Sequence, residues 1–165
     1  EVCKDRLIAQ DEIPAFVLVP GRESGPGEPI CLSQVVINSL TSSKAAMYTI
    51  LTTISNTVNI PMKDINRFYI AGTFGTYIDP RSAITIGMIP DRPIEAYVPL
   101  GNTSLEGASK ALLSSQDRDE IYQIRDKITY IELNVNQEFM NLFSAAKFLP
   151  HTDRSLFPSV EVSPS

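Results

Sequence analysis

Two glycine-containing turns follow two apolar segments that are predicted to be β-strands. The strand at 67–71 runs into Gly72 and Gly75, and the strand at 95–100 runs into the turn Gly101-Asn102-Thr103. In α/β proteins, ligands bind beyond the carboxyl ends of such strands, where helix N-termini offer unpaired backbone N–H groups. Glycine has no Cβ, so the backbone there can approach a flat ring or a ribose. Either turn alone is more simply a tight turn, but two of them on consecutive strands predict a binding site.

Three titratable residues have a second interpretation besides catalysis. His151 is the only histidine and lies in a proline-rich tail, which favours a surface or docking role over a catalytic or metal-ligating one. Asp79 directly precedes Pro80, which is typical of a helix N-cap rather than of a general base or a magnesium ligand. Asp91 follows Pro90 and indicates a turn. The sequence therefore predicts no catalytic residue and no metal ligand.

Composition excludes several classes of partner. The chain has 165 residues and a formal net charge of −5, with no run of lysine or arginine, so nucleic acid is not a predicted partner. Cys3 and Cys31 lie far apart, which excludes a four-cysteine cluster within this chain and favours a reduced, cytoplasmic setting. No apolar stretch has the length of a membrane span, and the acidic first residues do not resemble a signal peptide. Because the chain begins without methionine, we expect it to be part of a longer protein.

The hydrophobic periodicity predicts an α/β fold. Short apolar or β-branched segments predict strands at 14–20, 30–33, 67–71, 95–100 and 129–133. Amphipathic spacing and capping residues predict helices from Ser33 to Val58, from Asp79 to Gly87, and at 103–113, 117–128 and 136–148. The helix at 103–113 is expected to open with a capping box made by Thr103 and Glu106. This order predicts one domain at 1–150, with a mixed sheet flanked by helices, and a loose, extended C-terminal tail at 151–165.

Four segments of the sequence resemble one protein family. They are FYIAGTFGTYIDPRSAITIGMIP (68–90), PLGNTSLEGASKALLS (99–114), ITYIELNVNQEFMNLFSAAKFLP (128–150) and HTDRSLFPSV (151–160). In this order they closely resemble the C-terminal domain of the RACo-type reductive activators of corrinoid proteins. The resemblance implies that residues 1–150 form a C-terminal ASKHA-like subdomain, the ribonuclease H-like half of an actin-like ATPase (ASKHA) domain.

The resemblance also implies a set of cofactor-binding residues. The segment IAGTFG takes the place of the adenosine motif, and GNTSLEGASKAL resembles the connecting helix whose small residues let two subdomains pack and hinge. The implied contacts to the nucleotide, together with the neighbouring turn, are Gly72, Thr73, Phe74, Gly75, Gly101, Asn102 and Thr103. The sequence departs from the family pattern at Thr73, where a second glycine is usual, and at Val36, where an aspartate is usual.

The function that the resemblance implies is that of a longer protein. Such activators use ATP with Mg to restore Co(I) in corrinoid methyltransferase proteins, with an electron from a [2Fe–2S] cluster in an N-terminal domain. The phosphate-binding half and the cluster are expected upstream of residue 1, so this chain alone is predicted neither to bind ATP tightly nor to hydrolyse it. The implied partners are that upstream half and a corrinoid protein or corrinoid methyltransferase. Two alternatives stay open: a non-catalytic protein-interaction scaffold derived from an ATPase-like fold, and half of a small-molecule kinase.

Overall fold

The computed structural model describes residues 4–133 and 137–161, which divide into two units, one up to Lys44 and one from Ala45 onward. Each unit has its own small sheet. The predicted α/β class is confirmed, with small sheets flanked by helices. The strands of the described residues form two separate hydrogen-bonded sheets, one antiparallel and one parallel. No helix among these residues has both the length and the apolar character needed to cross a membrane.

The first unit contains an antiparallel sheet in the order β1 (Leu7–Gln10), β2 (Ile13–Val19) and β3 (Ile30–Ser33). Asp11 and Glu12 join the first two strands with φ angles of 49° and 65°, as a two-residue hairpin turn requires. The predictions at 14–20 and 30–33 are confirmed, whereas β1 was not predicted.

The second unit contains a parallel pair of strands, β4 (Phe68–Ala71) and β5 (Tyr97–Gly101). The long helix α1 spans Gln34–Thr57, so it includes residues of both units. It begins, as predicted, after Ser33, whose Oγ accepts a hydrogen bond of 3.4 Å from the N–H of Val36. The remaining helices are α2 (Gly72–Tyr77), α3 (Pro80–Thr85), α4 (Thr103–Leu113), α5 (Ser115–Arg125) and α6 (Gln137–Ala146). Short 3₁₀ segments lie at Lys4–Arg6, Gly21–Glu23, Met62–Asp64, Ile94–Ala96 and Arg154–Leu156.

The hydrophobic core of the second unit combines residues that are distant in the sequence. Its buried members are Ala45, Tyr48, Ala83, Ile84, Met88, Ile89, Tyr97, Ala146 and Phe157. Phe157 is 2% exposed, and its ring centroid lies 5.4 Å from that of Tyr48. His151 is also buried, with its ring centroid 5.5 Å from that of Tyr48. The predictions of a loose tail and of a surface role for His151 are therefore wrong for these residues, because the aromatic rings bury each other. The boundary at residue 150 stays a prediction.

The strand predicted at 129–133 is not present, since the described residues Thr129–Leu133 belong to no strand. Tyr130 is 84% exposed, so the apolar residues of this segment have no sheet to pack on. Strand propensity mostly measures such packing, and without it the segment stays irregular. The helix predicted at 136–148 is confirmed as α6, and the first predicted position, Asn136, lies outside the described residues.

Candidate functional site

The two glycine-containing turns lie side by side at the carboxyl end of the parallel pair. Phe68 pairs with Tyr97 and Ile70 with Pro99, and the register then shifts so that Ala71 pairs with Gly101. The shift places the additional residue, Leu100, on β5, as in a β-bulge. Because of it, both strands end at the same level, and α2 and α4 start from adjacent positions. The structure thus brings together the two turns that were predicted from the sequence to form a binding site.

Gly72 and Gly101 have the backbone conformation and the free space of a close-approach site. Their φ angles are +87° and +70°, in the left-handed region that side-chain-bearing residues rarely adopt. At each position, the point where a Cβ would lie has no atom of the described residues within 4 Å, apart from the adjoining backbone. The backbone at both positions is therefore open to a ligand on the side where a Cβ would point, as far as the described residues other than the chain neighbours are concerned.

Gly75 allows close packing of α2 and does not leave open space. A Cβ at this buried position would overlap with Cγ2 of Ile70 and would lie 3.0 Å from the Ile70 carbonyl oxygen. The missing side chain lets α2 lie directly against β4. Gly75 also lines a cavity of about 220 Å³, together with Thr76, Ile94 and Pro99. The sequence suggested the same role for both glycines of the GTFG turn, and the structure separates them.

The other predicted residues of the two turns have distinct positions. Thr73 is exposed on α2, while the side chain of Phe74 is outside what the structure describes. The Oδ1 atom of Asn102 accepts a hydrogen bond of 3.1 Å from the N–H of Leu105, so Asn102 is the N-cap of α4. Thr103 is the first residue of that helix, and the predicted capping box of Thr103 and Glu106 is wrong by one position. Asn102 therefore fixes where α4 starts beside the open backbone.

Asp79 caps α3 as predicted. Its Oδ2 atom accepts hydrogen bonds from the Ser82 N–H at 2.8 Å and from the Ser82 hydroxyl at 2.6 Å. The hydroxyl and then the N–H of Ser82 lower the pKa of this carboxyl below its usual value, so it stays ionised and is a weak proton acceptor. This geometry favours the capping role over that of a general base.

Asp91 has a partner that the sequence did not indicate. Its two carboxylate oxygens accept hydrogen bonds of 2.7 Å each from the N–H and the hydroxyl of Ser159, which lies 68 positions away. Asp91 thus lies in an irregular loop instead of the predicted turn, and it holds the tail. A contact over this sequence distance leaves no local pattern from which it could have been found.

The described residues offer no ready-made metal site, since no three His, Cys, Asp or Glu residues among them are grouped to hold an ion. Cys31 is a free thiol, 3.7 Å from the carbonyl oxygen of Pro29, and Cys3 lies outside the described residues. What the turns do offer is bare backbone at Gly72 and Gly101, beside the starts of α2 and α4.

Comparison with known proteins identifies the family of this chain. The family model for the C-terminal domain of RACo, the ASKHA domain, matches residues 1–161. The corrinoid activation enzyme RamQ of Eubacterium limosum is 30% identical over 128 residues, which is 78% of this chain and 22% of that protein. A solved structure of a reductive activator for corrinoid, iron-sulfur protein is 42% identical, with a TM-score of 0.83 over 95% of this chain and 25% of that one. This chain thus corresponds to about a quarter of the length of these relatives. It belongs to the family of the C-terminal ASKHA domain of RACo.

Proposed function

We propose that this chain is the C-terminal part of an ATP-dependent reductive activator of a corrinoid protein, in which it forms the wall of the adenosine site. The names of the relatives support the activator role, since one is a corrinoid activation enzyme and another a reductive activator for a corrinoid, iron-sulfur protein. The main structural support for the proposed adenosine site is the pairing of Ala71 with Gly101, which sets the open backbone of Gly72 beside that of Gly101. The expected [2Fe–2S] cluster, the magnesium ion and the cytoplasmic location belong to the same proposal for the longer protein.

In this proposal the residues of the two turns bind and orient the nucleoside. The backbone at Gly72 and Gly101 contacts its flat faces, and the exposed hydroxyl of Thr73 hydrogen-bonds the ribose. Gly75 and Asn102 act indirectly, since the first seats α2 on β4 and the second fixes the start of α4. Bound ATP supplies the free energy of its hydrolysis, with phosphate contacts from the upstream half of the protein.

Nucleotide binding would drive activation by favouring one arrangement of the two ATPase halves. A ligand shifts such an equilibrium only through its different affinity for the two arrangements. Helix α4 is the proposed hinge because Gly107 is open: among the described residues, a Cβ there would have no atom within 4 Å apart from its chain neighbours and the helix's own backbone. Leucine at Gly107 in the longer protein should weaken ATP-dependent activation, and unchanged activation would remove the hinge role from the proposal.

Valine substitutions at Gly72 and Gly101 test the adenosine site. Each places a side chain in the proposed contact surface, and we expect the Kd for ATP in the longer protein to rise at least about tenfold, or about 1.4 kcal/mol. ATP-dependent reduction of the Co(II) corrinoid partner, followed by the absorbance of the corrinoid, should fall in parallel at limiting ATP.

The matched control for backbone strain is Gly27→Val. Gly27 has a φ of +81° and equally open surroundings, but it lies in the first unit and in no proposed contact. This variant should match the others in thermal destabilisation and keep its affinity for ATP. If all three variants bind ATP as the parent does, the two turns do not form the adenosine wall.

A non-catalytic protein-interaction scaffold is the second candidate function, and exposed apolar side chains favour it. Leu112 and Leu113 at the end of α4 are 80% and 85% exposed. Binding of the corrinoid protein that is unaffected by ATP, but is lost on changing both leucines to serine, would favour the scaffold over the adenosine wall.

A further inference from the structure

A second cavity in the second unit, which shares the lining residue Ile94 with the cavity beside Gly75, has the chemistry of an anion site. It measures about 370 Å³, which is within the range of small-ligand pockets. Three segments line it: α3 with Arg81 and Thr85, the loop that contains Asp91 and Arg92, and the tail at residues 159–160. None of the residues predicted to contact a nucleoside lines this cavity, so its ligand is a separate question.

The guanidinium group of Arg92 lacks the partner that burial normally requires. Its Nε atom has no exposed surface and no hydrogen-bond acceptor within the described residues. Buried donors are almost always paired, and a charged one that is not paired marks a place where an acceptor is missing. The ion pairs of the described chain are Arg22 with Glu23 and Arg125 with Asp126, so neither Arg81 nor Arg92 takes part in one.

The other polar groups of the cavity are already engaged with each other. Both oxygens of Asp91 accept hydrogen bonds from Ser159, so this carboxylate is held by the tail and forms no ion pair with Arg92. The hydroxyl of Thr85 donates to the carbonyl oxygen of Arg81 at 2.9 Å. The hydroxyl donors are therefore used, and the guanidinium groups are the donors left for a ligand. This combination selects a ligand that only accepts hydrogen bonds and carries negative charge.

We propose that this cavity binds a small oxyanion, a phosphate or carboxylate group, held by the guanidinium groups of Arg81 and Arg92. The planar guanidinium matches both groups through paired N–H···O bonds, which a lysine ammonium does not reproduce. Among the lining residues, Arg81, Arg92 and Asp91 leave a net positive charge for the ligand to neutralise. Asp79, which is outside the lining, also attracts Arg81, but its carboxylate is already hydrogen-bonded to Ser82. Because α3, the loop and the tail all line the cavity, the bound anion joins the C-terminal tail to the body of the unit.

The direct test is to follow the arginine Nε–H signals by NMR during a titration with inorganic phosphate at constant ionic strength. The signals of Arg92 and Arg81 should shift saturably, while that of Arg118, which is exposed on α5 and does not line the cavity, serves as the control within the molecule. Acetate in place of phosphate distinguishes the two sources of the oxyanion. A response to both identifies a general oxyanion site, and a response to phosphate alone identifies a phosphate site.

Three variants make the test specific. Arg92→Lys keeps the charge but removes the Nε donor, and Arg81→Gln removes an exposed charge without disturbing the core; each should raise the Kd for the anion on the order of tenfold. Arg118→Gln should leave it unchanged. Equal shifts with chloride or with uncharged adenosine, or an unaltered Kd in Arg81→Gln, would overturn the proposal even if Arg92→Lys failed to fold.

Discussion

Alanine at Gly87 should destabilise the protein more than alanine at another glycine of the same backbone conformation. Gly87 follows α3 with a φ of +74°, and a Cβ there would overlap with the carbonyl oxygen of Pro150 and lie 2.7 Å from its carbonyl carbon. These are backbone atoms of the segment that leads into the tail, so they cannot rotate away as the end of a side chain can. Gly101 has a φ of +70° and open space at the same point, which makes Gly101→Ala the matched control.

The expected free energies follow from these two environments. Left-handed backbone costs an alanine about 1–2 kcal/mol at either position. Overpacking adds about 1–3 kcal/mol at Gly87 alone. We therefore expect a loss of about 2–5 kcal/mol in Gly87→Ala against about 1–2 kcal/mol in Gly101→Ala.

Urea unfolding without nucleotide, followed by tyrosine fluorescence and by far-UV circular dichroism, measures both losses from the midpoint and the m-value. Coincident transitions from the two probes are needed before the free energies are compared. Equal losses in the two variants would show that the backbone of Pro150 does not pack against Gly87. They would therefore contradict the close packing of the segment that leads into the tail.

Further predictions concern packing, capping and charge. Gly75→Ala should lower the free energy of unfolding, measured with urea, by about 1–3 kcal/mol. The same change should cost less when Ile70 is already alanine, because the Cγ2 atom that the new Cβ would overlap is then absent. Strictly additive losses would contradict the packing role. Asn102→Ala should lower the free energy of unfolding by about 1 kcal/mol because α4 loses its N-cap, whereas Thr103→Ala should cost much less. A larger loss in Thr103→Ala would instead support the capping box of Thr103 and Glu106 that the sequence predicted. Burial lowers the pKa of Lys44 to about 8 from 10.5, so the folded state releases this proton first and the free energy of unfolding should rise between about pH 8 and pH 10.5. Lys44→Met should remove that rise, which urea midpoints at pH 7 and pH 10 would reveal.

The position of the candidate site was predictable because it depends on local signals. An apolar segment ending in glycine marks the end of a strand, and Asp79 before Pro80 marks the start of a helix. Two such strands in sequence order predict two turns on one edge, and the pairing of Ala71 with Gly101 confirms that they lie together. That these turns bind a nucleoside stays a prediction.

The differences between similar residues were not predictable, because they depend on contacts between distant parts of the chain. Gly72 and Gly75 look alike in the sequence, and only the position of Ile70 distinguishes an open glycine from a packed one. The composition of residues 151–160 is polar and rich in turn formers, yet Phe157 is buried against Tyr48, more than 100 positions earlier. The segment at 129–133 shows the converse, since its strand propensity was not matched by a neighbouring strand.

The burial of Phe157 sets an order of events during protein synthesis. Its ring, and the side chain of Val160, complete a hydrophobic core whose first members, Ala45 and Tyr48, leave the ribosome more than 100 residues earlier. Until the last of these side chains emerges, the earlier ones expose apolar surface of the kind that chaperones recognise. The second unit therefore reaches its native packing only after Phe157 and Val160 have left the ribosome, however early its individual helices form.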